Sequence, residues 1–138
     1  METVIADTGP LVAYFDRREP HHEWVCSALK EWSEPMVTCD AVLAETAFVL
    51  SRKGQPPDVV FSLLTEGLVT LGFDTAKNHR ELAALMRAYR NVPMSVADAS
   101  LVRLSELRRD SVVFTLDRDF LVYRRHGRQR IPLLAPFV

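Results

Sequence analysis

Short β-branched runs alternate with helical patterns along almost the whole chain, and that alternation leaves few folds open. Residues 3–6 read as a strand, 11–16 as a short helix and 21–32 as a longer one. A brief strand is expected at 36–38, and Asp40 is placed to cap a helix running to Lys53, with Gly54 as its stop. Pro56-Pro57-Asp58 opens another short helix before a strand at 68–71. Amphipathic helices follow at 75–90, ended by Pro93, and at 95–108. The strongest strand is 112–115, followed by a short helix at 119–123 and an edge strand at 131–134. Strands separated by helices cannot pair as hairpins. The expected class is therefore α/β, with a mainly parallel central sheet covered by helices on both faces. The 138 residues are enough for one domain, 1–138, with a core of its own.

Within this pattern four acids stand where an ordinary globular sequence avoids charge. Asp7 follows the apolar run Val4-Ile5-Ala6, and Asp117 comes soon after Val112-Val113-Phe114-Thr115. Both fall at the carboxyl ends of strands, where open α/β sheets form ligand crevices. Glu45 is the only ionisable residue between Ala41 and Leu50. Its helical neighbours are Ala41, Val42, Phe48 and Val49, which puts it toward the core side. Asp98 shares a helical face with Leu101 and Val102.

Each acid also has a structural explanation. Ser95-Val96-Ala97-Asp98 matches a capping box, and Asp7 and Asp117 can cap the helices after them. Asp74 reads as a plain N-cap. Glu45 is too far from Asp40 to cap and has no basic residue three or four positions away. Together the acids say more than they do singly. Like charges about 4 Å apart repel by roughly 4 kcal/mol at an effective dielectric near 20. Several carboxylates in one cleft therefore imply bound protons or a divalent cation. Oxygen-only ligands favour Mg²⁺ or Mn²⁺ over zinc, and such ions serve phosphodiester hydrolysis.

Other chemistries find little support. No G-x-G-x-x-G, Walker A loop or nucleophile elbow is present. Asp7-Thr8-Gly9 is not the D-x-D of haloacid-dehalogenase-type phosphatases, and the acidic pair and lysine of a phosphoreceiver are missing. His21-His22, His79 and His126 lack metal-ligand spacing, and Trp24 and Trp32 read as packing residues. Cys26 and Cys39 form no C-x-x-C pair. With no secretory signal at Met1-Glu2-Thr3 and no apolar stretch near the roughly 18 residues of a membrane span, a cytoplasmic protein is expected. The net charge of −1 conceals an asymmetry: from Leu101 onward eight arginines face four acids. Arginine suits bidentate phosphate contacts.

The chain resembles the PIN-domain ribonucleases, and within them the VapC toxins of toxin–antitoxin pairs. The resemblance is carried by Ile5-Ala6-Asp7-Thr8-Gly9-Pro10-Leu11-Val12-Ala13, by Val42-Leu43-Ala44-Glu45-Thr46, by Met94-Ser95-Val96-Ala97-Asp98-Ala99, and by Phe114-Thr115-Leu116-Asp117-Arg118-Asp119-Phe120. It implies a three-layer α/β/α fold and Mg²⁺- or Mn²⁺-dependent RNA cleavage. Asp7, Glu45, Asp98 and Asp117 would form the catalytic and metal-holding quartet, supported by Thr8, Thr115 and Asp119. Gly9-Pro10 stands where many members carry a small polar residue. The resemblance also implies a homodimer and a cognate antitoxin that silences it.

On this reading Asp7 and Asp98 chiefly hold the metal, Glu45 helps orient the attacking water or a second ion, and Asp117 completes the acidic shell. Arg118, and the stretch Phe120, Tyr123, Arg124, Arg125, Arg128 and Arg130, are expected to contact RNA. The alternative is a catalytically inactive PIN-like module that binds RNA or a protein partner.

Overall fold

In the computed structural model, which describes residues 2–138, five short strands form one wholly parallel sheet in the order β3-β2-β1-β4-β7. They are β1 (Thr3–Ala6), β2 (Met36–Thr38), β3 (Val69–Leu71), β4 (Ser111–Phe114) and β7 (Leu133–Leu134). The helices between them are α1 (Thr8–Phe15), α2 (His22–Lys30), α3 (Asp40–Arg52), α4 (Phe61–Thr65), α5 (Thr75–Ala88) and α6 (Val96–Leu107). Short 3₁₀ turns occupy Pro57–Val60 and Arg118–Leu121, and a small antiparallel hairpin joins β5 (Arg124–Arg125) to β6 (Gln129–Arg130). The chain moves one way from β1 to β3 and then crosses to β4 on the other side of β1. Right-handed crossovers therefore put α1–α4 on one face of the sheet and α5–α6 on the other.

The central strands explain the sequence pattern. Val4, Ile5 and Ala6 on β1, and Val112, Val113 and Phe114 on β4, are buried. A strand covered on both faces reads as continuous β-branched residues rather than as an alternation. β1 pairs with β4 over its full length, from Thr3 opposite Ser111 to Ala6 opposite Phe114. Strand order reverses at this pair, so the crevice expected at a topological switch point lies beyond Ala6 and Phe114. No helix among the described residues is long and apolar enough to cross a membrane.

Several expectations need correction. α1 begins at Thr8, earlier than residue 11, because Pro10 falls in the first helical turn, where its missing N–H costs nothing. Asp40 is the first residue of α3; its N-cap is Cys39, with no side-chain cap bond. The β5–β6 hairpin was not expected. It turns at His126 and Gly127, both with positive φ, inside a run rich in arginine that has little strand propensity.

Candidate active site

Two strand ends, the start of α6 and the middle of α3 supply the acids. Asp7 continues β1 and donates its backbone N–H to Phe114 O at 2.9 Å, so the β1–β4 ladder itself places it. Its carboxylate N-caps α1, Oδ1 accepting from Thr8 N at 2.7 Å, while Oδ2 accepts from the Thr115 hydroxyl at 2.6 Å. The same Thr115 oxygen accepts from Asp117 N at 2.9 Å. One buried threonine thus fixes two acids relative to each other. Asp117 caps the following 3₁₀ turn through Asp119 N at 2.9 Å. Asp98 closes the capping box of α6, Oδ2 accepting from Ser95 N at 3.2 Å, and also receives the Tyr123 hydroxyl at 3.1 Å.

The capping explanation and the convergence explanation are both satisfied. Asp7, Asp98 and Asp117 each complete a helix or 3₁₀ turn, and those starts meet at a cleft of about 620 Å³ that Glu45 also lines. Glu45 differs from its expected placement. It is exposed on the cleft flank of α3, because Val42, Leu43, Thr46 and Leu50 form the buried face of that helix. There it accepts the Thr8 hydroxyl at 3.2 Å. The Thr8 and Thr115 hydroxyls therefore each donate to one of the four acids. Asp119 stands behind Asp117 and does not line the cleft.

Electrostatics single out Asp7. Burial drives its pKa from 3.8 to about 7; the bonds from Thr115 and Thr8 pull it down, and repulsion from Asp98 and Asp117 adds to the rise. The Asp98 carboxyl is also raised, first by burial and then by Asp117, against hydrogen bonds that favour its charged form. Asp119 is raised by desolvation and by Asp117.

Among the described residues no three acid, histidine or cysteine side chains already form a cage tight enough to grip an ion. The donor set nonetheless suits a hard divalent cation: its acids offer only oxygen, and burial, with repulsion from Asp98 and Asp117 added to it, raises Asp7 to about 7. Asp7, Asp98 and Asp117 are the residues that would hold it, with Glu45 at the edge.

Gly9 explains the departure from a small polar residue at that position. A Cβ there would lie 3.2 Å from Leu116 Cβ, so the first turn of α1 packs against the loop carrying Asp117 most easily without a side chain.

The arginines divide. Arg118 lines the cleft, and Arg128 and Arg130 are exposed. Arg125 does not face RNA: it is 4% exposed, and its Nη2 donates to Ser105 O, Arg108 O, Arg109 O and the Ser111 hydroxyl at 2.6–3.1 Å. It closes the C-terminal end of α6 against β4, a use that a run of arginines does not disclose. Arg124 Nη1 is similarly engaged by the carbonyls of Leu121, Val122 and Tyr123. Phe120 and Tyr123 are buried rather than available to bases.

The roles of two residues went unread in the sequence. Tyr123, expected among the RNA contacts, instead donates its hydroxyl to Asp98. Glu19 lines the cleft with its charge met by Lys53 Nζ at 3.2 Å, and nothing in Arg17-Arg18-Glu19-Pro20 signals that.

Comparison with known proteins agrees with this geometry. The PIN domain family profile matches residues 4–125. Ribonuclease VapC26 of Mycobacterium tuberculosis is 31% identical over 117 residues, 83% of this chain and 87% of that protein. The crystal structure of VapC20, a sarcin–ricin-loop-cleaving toxin of M. tuberculosis, superposes with a TM-score of 0.73 at 15% identity, over 85% of this chain and 92% of that one, a likeness of fold. With its parallel sheet, its acids at the switch point and these relatives, the chain belongs to the PIN-domain family, among the VapC-type ribonucleases.

Proposed function

We propose that the protein is an Mg²⁺- or Mn²⁺-dependent ribonuclease that cleaves RNA phosphodiester bonds, and that it acts as the toxin of a toxin–antitoxin pair. One observation carries the reading: Asp7, Asp98 and Asp117, far apart in sequence, line one cleft with Glu45, and burial and mutual repulsion hold Asp7 near a pKa of 7. Such an arrangement destabilises the fold unless a cation is held there. A bound divalent ion would lower the pKa of a water and offset phosphate charge. The chain's own residues do the rest. Thr115 fixes Asp7 and the Asp117 backbone; Tyr123 and Ser95 fix Asp98; Thr8 turns Glu45 toward the cleft, where its carboxylate orients the attacking water. The Asp98 and Asp117 side chains complete the acidic shell.

The same reading supplies a cognate antitoxin and a homodimer. The flank of α3 and α4 supports a protein partner: Phe48 and Phe61 are 61% and 58% exposed there, beside Leu43, Ala44 and Ala47. Light scattering on the purified protein reads the dimer directly, and a single-chain mass would exclude it.

The deciding experiment incubates purified, antitoxin-free protein with total cellular RNA and Mg²⁺ or Mn²⁺, beside Asp7→Asn and Asp98→Asn. Discrete products that disappear with chelator and in both variants support the proposal. Folded protein that cleaves no RNA under these conditions would make it a binding module.

A further inference from the structure

Among the described residues Arg118 is the only basic one lining the acidic cleft. It directly follows Asp117, yet among the described residues it forms no ion pair with the acids around it. Among the described residues its N–H groups have no hydrogen-bond partner. Its guanidinium instead lies over the ring of Phe137, with the central carbon 4.8 Å from the ring centroid. A flexible cation beside several carboxylates would ordinarily fold onto one of them. Here an aromatic face provides a competing seat.

The seat is built into the fold. β7 is bonded to β4, with Val113 N donating to Pro132 O and Thr115 N to Leu134 O, both near 3 Å. A turn then closes from Val138 N to Ala135 O and sets Phe137 half-buried beside the 3₁₀ turn that carries Arg118. The strand pair that places Asp117 therefore also places the ring beneath its neighbour. With one face covered, the guanidinium keeps its planar N–H edge free, the edge that matches two phosphate oxygens. A cleft of carboxylates repels an RNA backbone, and a cation held clear of those carboxylates offsets part of that repulsion.

We propose that Arg118 binds a phosphate of the RNA strand in the cleft, and that Phe137 is a positioning residue that holds the guanidinium off the acids and in reach of that phosphate. The proposal rests on the RNA-cleaving reading given above. Its test is binding, so that it does not depend on turnover.

Asp98→Asn protein is titrated into a short fluorescein-labelled single-stranded RNA of mixed sequence, and anisotropy is followed over a salt series. Adding Arg118→Gln should weaken binding about tenfold and flatten the slope of log K against log salt by about 0.7. Adding Phe137→Ala should weaken it about two- to fivefold, Phe137→Tyr should restore it, and Phe137→Ala should have no further effect once Arg118 is Gln. Circular dichroism melts check that each variant is folded. An unchanged affinity and salt slope in Arg118→Gln overturns the inference alone, as does an equal Phe137→Ala loss in both backgrounds. If the Asp98→Asn protein binds no RNA, this inference falls, while the RNA-cleaving reading is decided by the cleavage assay above.

Discussion

Replacing Asp7 with Asn should stabilise the metal-free protein, and by an amount that depends on pH. The native pKa of Asp7 is near 7 against 3.8 when unfolded, because its carboxyl is buried beside Asp98 and Asp117. A raised native pKa means that the folded state holds the proton more tightly. Its stabilising contribution is then complete below about pH 3.8 and is lost as pH climbs through about 7. A shift of about 3 units corresponds to roughly 4 kcal/mol withheld above pH 7. Asn keeps the volume and the acceptor for Thr8 N, but its amide nitrogen cannot accept from the Thr115 hydroxyl, which offsets about 1–2 kcal/mol. The net gain at pH 8 is about 2–3 kcal/mol, or a rise in Tm of roughly 6–12 °C for a chain of this size. Urea and thermal unfolding in EDTA at pH 4, 6 and 8, for both proteins, measure it. The advantage should be smallest at pH 4 and largest at pH 8, and excess Mn²⁺ should shrink it at pH 8. A difference that is flat with pH, or a less stable Asn variant at pH 8, would show that Asp7 is not the strained group.

Mg²⁺ or Mn²⁺ at about a hundred times its Kd should stabilise the unaltered protein by about 2.7 kcal/mol, read as a melting shift that Asp98→Asn reduces. Tyr123→Phe keeps the ring contacts with Tyr89 and Phe120 but removes the hydroxyl from Asp98, at a cost of about 1 kcal/mol. That hydroxyl favours ionised Asp98, so the acid limb of the cleavage pH profile should move to higher pH, and an unmoved limb would argue against the role. Arg125→Lys keeps the charge but not the fork that reaches three carbonyls and Ser111, so urea unfolding should show a loss of about 2 kcal/mol with the salt slope of RNA binding unchanged. Truncation before β4 should abolish cooperative unfolding, since β1 would lose its full-length partner.

The central strands were legible because a strand buried on both faces must be apolar throughout, as Val4-Ile5-Ala6 and Val112-Val113-Phe114 are. The acids were legible for the opposite reason: charge at the end of such a run is costly and needs a use. What stayed hidden depended on partners distant in sequence. Nothing near Glu45 revealed that the buried face of α3 would stop just short of it. The role of Arg125 as a closure for α6 needed the hairpin, whose turn rests on a positive φ at His126 that histidine seldom signals. Asp40 looked like a cap because its residue type suits one, yet the chain enters the helix one residue earlier.

The Asp7–Thr115 hydrogen bond spans 108 positions of the chain. Its consequence lies in timing. A growing polypeptide emerges at about 5–20 residues per second, and for most of that interval Asp7 has neither its neighbouring strand nor the acids from the later segments. The acids can converge only once Thr115 and Asp117 have left the ribosome. Until then a nascent chain of this kind carries Asp7 without the hydroxyl that fixes it.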